Sequence, residues 1–109
     1  MGIKINLDIQ KAAERLGLEK DEYIDILKLF IEISRTDLEK MESALERKDM
    51  RAVFETCHSL KGAAINLCFE DIAEIARDLE LNARKNILDG ADEGCHELKT
   101  KIERLSGIL

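Results

Sequence analysis

No proline interrupts any of the 109 residues, and a periodic stripe runs through the longest stretch free of turn signals. Tyr23, Leu27, Phe30, Ser34, Leu38, Met41 and Leu45 recur at alternating three- and four-residue steps, the spacing that lines up side chains on one face of an α-helix. Proline is the residue that breaks or kinks a helix interior, so its absence leaves every such stretch free to remain helical. Ala, Glu, Leu, Lys and Arg make up about half the chain, the balance of long helices and helical bundles. The fold class read from these features is all-α, with a mostly aliphatic core, because only three Phe and one Tyr are present.

The punctuation divides the chain into five helices. A short one is expected from Ile9 to Leu16, with Asp8 as N-cap and Gly17 just past its end, since an oxygen-bearing cap and a glycine stop are the favoured termini. A long second helix runs from Lys20 to about Arg47. Isoleucines 24, 26, 31 and 33 widen its stripe, so its first half should be covered on more than one side. Lys48-Asp49 turns the chain into a third helix, Met50 to about Ile65, with Asp49 as cap. A fourth spans Glu70 to Asn86 with Ile72, Ala76, Leu79 and Ala83 inward. Asp89-Gly90 is a turn dipeptide, and the last helix starts near Asp92 with Cys95, Leu98, Ile102 and Leu105 inward. Four substantial helices with short connections predict an antiparallel up-down four-helix bundle, capped by the short N-terminal helix. At this length residues 1–109 are expected to be one domain.

A formal net charge of −6, with no basic stripe, argues against nucleic-acid binding. No apolar run reaches membrane-spanning length, and Met1–Gln10 has no signal-peptide pattern. The three cysteines are odd in number and lack a Cys-x-x-Cys pair, as expected of reduced thiols in the cytoplasm.

The segment His58-Ser59-Leu60-Lys61-Gly62 departs from ordinary amphipathicity. Residues at i, i+3 and i+4 are neighbours on a helix, so an imidazole, a cation and a missing side chain share one surface. Met50, Val53, Cys57, Leu60 and Ala64 form the buried stripe of this helix. At 100° per residue, His58 lies well off that stripe and should face solvent. Phe54 and Ile65 flank it on the core side with Arg51 nearby, an apolar and basic patch suited to docking a partner. Glycine inside a helix costs roughly 1 kcal/mol relative to alanine. Helical side chains lean toward the N-terminus, so residue 62 is the one whose side chain would cover residue 58. An uncovered imidazole beside a mobile lysine charge suits a histidine that carries an anionic group such as a phosphoryl.

Other constellations carry less. His96 and Cys95 are consecutive and point about 100° apart, and no Cys or His pair has i, i+4 ligand spacing, so no metal or cofactor is expected. Cys57 falls on the buried stripe and reads as a small core residue rather than a nucleophile. Glycine-rich nucleotide loops are absent, so no kinase activity is expected. The many carboxylates read mostly as solvated helix faces, not as a catalytic pair.

His58-Ser59-Leu60-Lys61-Gly62-Ala63-Ala64 resembles the phosphoacceptor helix of histidine-containing phosphotransfer (HPt) domains. The likeness extends to Leu7-Asp8, Arg15-Leu16-Gly17, Tyr23, Leu29-Phe30, Asn66-Leu67 and the stretch from Ile72 to Asp78-Leu79-Glu80. The resemblance implies that His58 is phosphorylated, that Lys61 stabilises phosphoryl charge and that Gly62 keeps access clear. It further implies a phosphorelay intermediate, a phosphocarrier rather than an enzyme, that exchanges its phosphoryl group reversibly with the aspartate of a receiver domain, free-standing or within a hybrid histidine kinase. That receiver would supply the acidic pocket and Mg²⁺. The outer ring nitrogen, Nε2, is the expected acceptor. One departure is visible: many members carry glycine ten residues after the histidine, where this chain has Cys68. Two rival readings are a helical adaptor that binds through Phe54 and Ile65 without phosphotransfer, and the phosphoacceptor part of a larger kinase. Met1 followed closely by a first helix favours a complete small protein over the latter.

Overall fold

Five α-helices occupy the computed structural model, which describes residues 8–109: α1 (Ile9–Arg15), α2 (Lys20–Glu46), α3 (Met50–Asn66), α4 (Glu70–Arg84) and α5 (Ala91–Ile108). Leu7, the first residue of the family-like segment, lies outside the described residues. Each boundary follows from local chemistry. Asp8 and Asp49 accept hydrogen bonds from the amides of Lys11 and Ala52, both at 3.1 Å, satisfying N–H groups that have no partner inside the helix.

The first four helices end in the same way. After α1, α2, α3 and α4 the residues Gly17, Lys48, Cys68 and Asn86 adopt φ of +69°, +55°, +66° and +60°. Their amides and those of the next residue return to carbonyls of the last turn, as in Cys68 N–H to Ile65 and Phe69 N–H to Ala64. This is the Schellman arrangement, which favours glycine at the left-handed position. Cys68 therefore occupies a site where glycine is the unstrained choice, at a cost of roughly 1–2 kcal/mol for a side chain there. The turn survives because Phe69, next in line, is buried and packs its ring 5.3 Å from that of Phe30.

The core is aliphatic. Tyr23, Leu27, Met41, Val53, Leu60, Ile72, Leu98, Ile102 and Leu105 are fully buried. Helix α2 packs against α1, α3 and α5, and α4 packs against α3 and α5. Small residues let α4 come close to both neighbours: Ala73, Ala76 and Ala83 are buried on it. A Cβ on Gly94 of α5 would lie 2.9 Å from the Leu79 side chain.

Two expectations for α2 need correction. Ile31 is buried and Ile24 partly so, but Ile26 and Ile33 are 39 % and 47 % exposed and Leu29 is 54 % exposed. The short α1 reaches too little of α2 to cover them, and an apolar groove stays open along α1, α2 and α3. Near the other end Ala44 takes the deep position, leaving Leu45 half-buried.

Candidate functional site

Helix α3 carries two rows of side chains that meet at His58. His58, Gly62 and Asn66 stand at i, i+4 and i+8, and Phe54, His58, Lys61 and Ile65 follow a neighbouring row. The His58 side chain is 65 % exposed, as its angle from the buried stripe requires. A Cβ placed on Gly62 meets nothing within 4 Å, so the space beside the histidine is open.

The structure adds a residue that sequence reasoning passed over. Glu80 of α4 is only 5 % exposed. Its Oε2 lies 2.8 Å from His58 Nδ1, and its Oε1 accepts a hydrogen bond from Lys61 Nζ at 2.9 Å. Glu80 is thus an exception among carboxylates expected to be mostly solvated. The signal was present: Ala76, Glu80 and Ala83 share one buried stripe at i, i+4 and i+7, and a carboxylate on such a stripe requires a partner.

The electrostatics follow from this pairing. Burial by itself pushes the Glu80 carboxyl up, but hydrogen bonds from Lys61 and His58, together with their charge, outweigh it and hold the group below the ordinary carboxylate value. An ionised carboxylate can only accept. His58 Nδ1 therefore carries the hydrogen in this contact, and in the neutral ring Nε2 keeps its lone pair. Lys61 is not the mobile charge expected of it: its side chain is 20 % exposed and tied to Glu80.

The imidazole is also held from the side. The Phe54 ring stacks on it with centroids 5.9 Å apart and planes at 13°. The Arg84 guanidinium of α4 lies 5.3 Å from the Phe54 centroid, a cation–π contact. On the α2 side, Ser59 reaches Asp37 at 3.5 Å. Arg51 is exposed and pairs with Glu55 at 3.2 Å, while Ile65 is 50 % exposed. Leu18, Ile26, Leu29, Ile33, Ala63 and Asn66 line the apolar groove, which the open space at Gly62 joins to His58 along one row of α3.

The remaining candidates stay apart from this centre. Cys57 is fully buried, and burial pushes its thiol up to about 12, so no thiolate is available beside His58. His96 is exposed on α5 in a polar hollow lined by Glu42, Glu46 and Asp92, and among the described residues no partner holds its ring as Glu80 holds that of His58.

The family model described as Hpt domain matches residues 25–108. The crystal structure of histidine-containing phosphotransfer protein B (HptB) from Pseudomonas aeruginosa PAO1 is similar, with a TM-score of 0.80 and 27% sequence identity over 91% of this chain and 86% of that one. A search of curated proteins found no match. The chain belongs to the Hpt domain family and is a histidine phosphotransfer protein of phosphorelay signalling, a phosphocarrier whose partners are receiver domains.

Proposed function

We propose that His58 is the phosphoacceptor, that Nε2 is the atom that bonds to phosphorus, and that Lys61 and Gly62 serve the transfer. The observation that carries this reading is the pairing of His58 Nδ1 with buried Glu80. It supports Nε2 as the nucleophile on an exposed ring with open space at Gly62 beside it. On loading, Nε2 attacks phosphorus and the aspartyl carboxylate of the receiver leaves; on unloading the same bond breaks in reverse. Lys61, held by Glu80, would act on phosphoryl oxygens as a fixed point charge. In this division the receiver supplies the acidic pocket, and its Mg²⁺ neutralises charge on the transferring group. Phosphoryl transfer is governed by positioning and electrostatics, and positioning is what this chain provides.

The receiver, free-standing or within a hybrid histidine kinase, would dock on the face around His58. Arg51, Phe54 and Ile65 form one part of that face. The groove of Leu29, Ile33, Ala63 and Asn66 forms the other, and an exposed apolar groove of this kind is suited to a partner surface. The packing of α2 with α3 and α5, and of α4 with both, supports an antiparallel up-down four-helix bundle with α1 as an added cap. Free thiols at Cys57, Cys68 and Cys95 support a cytoplasmic setting, and among the described residues no helix is long and apolar enough to cross a membrane.

The test is transfer from a phosphorylated receiver. The protein should take up an acid-labile, alkali-stable label that is abolished in His58→Gln and retained in His96→Gln. Incubation with ATP and Mg²⁺ alone should leave it unlabelled. Label persisting in His58→Gln, or stoichiometric self-phosphorylation, would refute the reading.

A further inference from the structure

We infer that Phe54 is a positioning residue for the transfer step, a flat wall that fixes where the His58 ring stands, and that Arg84 acts through it by pinning the Phe54 ring. This deepens the reading of His58 as phosphoacceptor and rests on it.

Helical side chains lean toward the N-terminus, so His58 leans over the turn that carries Phe54, at i−4, and away from Gly62, at i+4. On the Gly62 side an added Cβ meets nothing within 4 Å. On the Phe54 side the two rings stack, centroids 5.9 Å apart and planes at 13°, the offset arrangement that aromatic pairs favour. The contact of Nδ1 with Glu80 at 2.8 Å anchors one edge of the imidazole, but a hydrogen bond tolerates bending by about 30°. A swing of roughly 20° about the Cα–Cβ bond stays within one rotamer well and carries the outer ring nitrogen by about 1 Å. Between reacting atoms, a misplacement of about 1 Å can cost on the order of a hundredfold. With the donor held in a docked receiver, the rate then follows the fraction of time that the imidazole lies against Phe54.

Phe54 is itself held from two sides. Its ring is half-buried against the core, and the Arg84 guanidinium lies 5.3 Å from its centroid. Phe54 stands one turn before His58 on α3, and Arg84 stands one turn after Glu80 on α4. The pairs His58–Glu80 and Phe54–Arg84 are therefore successive rungs of the same helix–helix contact. One rung holds an edge of the imidazole and the other holds the wall beside its face. Leucine at position 54 would keep the apolar bulk and lose the flat face; tyrosine would keep both.

The experiment measures rapid-quench transfer from a phosphorylated receiver against receiver concentration, in a His96→Gln background so that residue 58 alone reports. Phe54→Leu should lower the maximal rate roughly three- to tenfold, the scale of losing one aromatic stack, with the half-saturating receiver concentration near that of the parent. Phe54→Tyr should transfer at the parent rate. Arg84→Met, at an exposed position, should lower the maximal rate roughly two- to fivefold, the scale of an exposed cation–π contact, and should add nothing to Phe54→Leu. Loading by phosphoramidate, a small donor free to follow the ring, should proceed equally in all of them.

An unchanged maximal rate in Phe54→Leu, with or without weaker half-saturation, overturns the positioning role, and so does an equal loss in Phe54→Tyr. Additive losses in the double variant overturn the route from Arg84 through Phe54. Phosphoramidate loading that falls in step with transfer also overturns the inference, because the ring would then be altered in itself rather than in its place. Thermal melts establish that each variant is folded. Should Phe54→Leu not fold, Arg84→Met decides alone, and an unchanged maximal rate there overturns the proposal. The two readings fail separately: parent protein that takes no label at residue 58 from either donor overturns the phosphoacceptor assignment, whereas labelled His58 with an unchanged rate in Phe54→Leu overturns only the role of Phe54.

Discussion

Gly62 is where stability and function should part. It sits inside α3 at a helical backbone position, and an added Cβ meets no atom within 4 Å. Gly62→Ala therefore gains helix propensity, about 1 kcal/mol, with no clash to offset it. For a domain of this size that amounts to a rise in Tm of roughly 4–8 °C. Gly62→Leu should gain nearly as much, because leucine is also a good helix former. Its longer side chain leans toward the N-terminal turn and so over His58. Transfer requires the reacting atoms to come within about 3–3.5 Å, and a misplacement of about 1 Å can cost on the order of a hundredfold. Gly62→Ala should thus transfer at near the wild-type rate, while Gly62→Leu should be slower by one to two orders of magnitude (about 10- to 100-fold) and melt higher. The assay is rapid-quench transfer from a phosphorylated receiver at saturating concentration, with thermal melts of each variant. A Gly62→Leu protein that is fully folded and transfers at the wild-type rate would refute the view that this glycine provides access.

Three further outcomes are expected. Because Glu80 is held below the ordinary carboxylate value, its contribution to stability is fully present above about pH 4.3 and is lost as pH falls through its lowered folded value. Melts of wild type and Glu80→Gln should therefore differ at pH 7, by about 1–2 kcal/mol for lost charge-assisted bonds, and converge at strongly acid pH; a gap that widens in acid would contradict the pairing. Leu29→Asp and Ile33→Asp change side chains 54 % and 47 % exposed, so they should leave Tm within a few degrees while raising the receiver concentration for half-maximal transfer at least tenfold (about 1.4 kcal/mol). Unchanged concentration dependence would remove the groove from the docking surface. At Cys68, φ of +66° predicts that Cys68→Gly is more stable than Cys68→Ala by about 1 kcal/mol, and an alanine variant at least as stable as the glycine one would mean that the turn relaxes.

Much of this protein is legible along the chain because helices are local objects. Asp8 and Asp49 as caps, Gly17 as a stop and the stripes of α3, α4 and α5 all depend on neighbours within four residues, and each stands where its spacing puts it except Met50, which at the start of α3 is only partly buried. The same holds for the exposure of His58 and the open space at Gly62. What only the tertiary structure decided are the relations between helices. Periodicity placed Ile26 and Ile33 on the widened stripe of α2, but whether a stripe is covered depends on how far a neighbour reaches, and α1 is too short to reach them. The carboxylate at position 80 was visible as a charge on a buried stripe, yet its partners are 19 and 22 residues away on another helix. Helical periodicity gives a residue's angle about its own axis, and it carries no information about which residue of a neighbouring helix stands opposite. The close packing of α3 on α4 set that pairing, and with it the nitrogen of His58 that is left free.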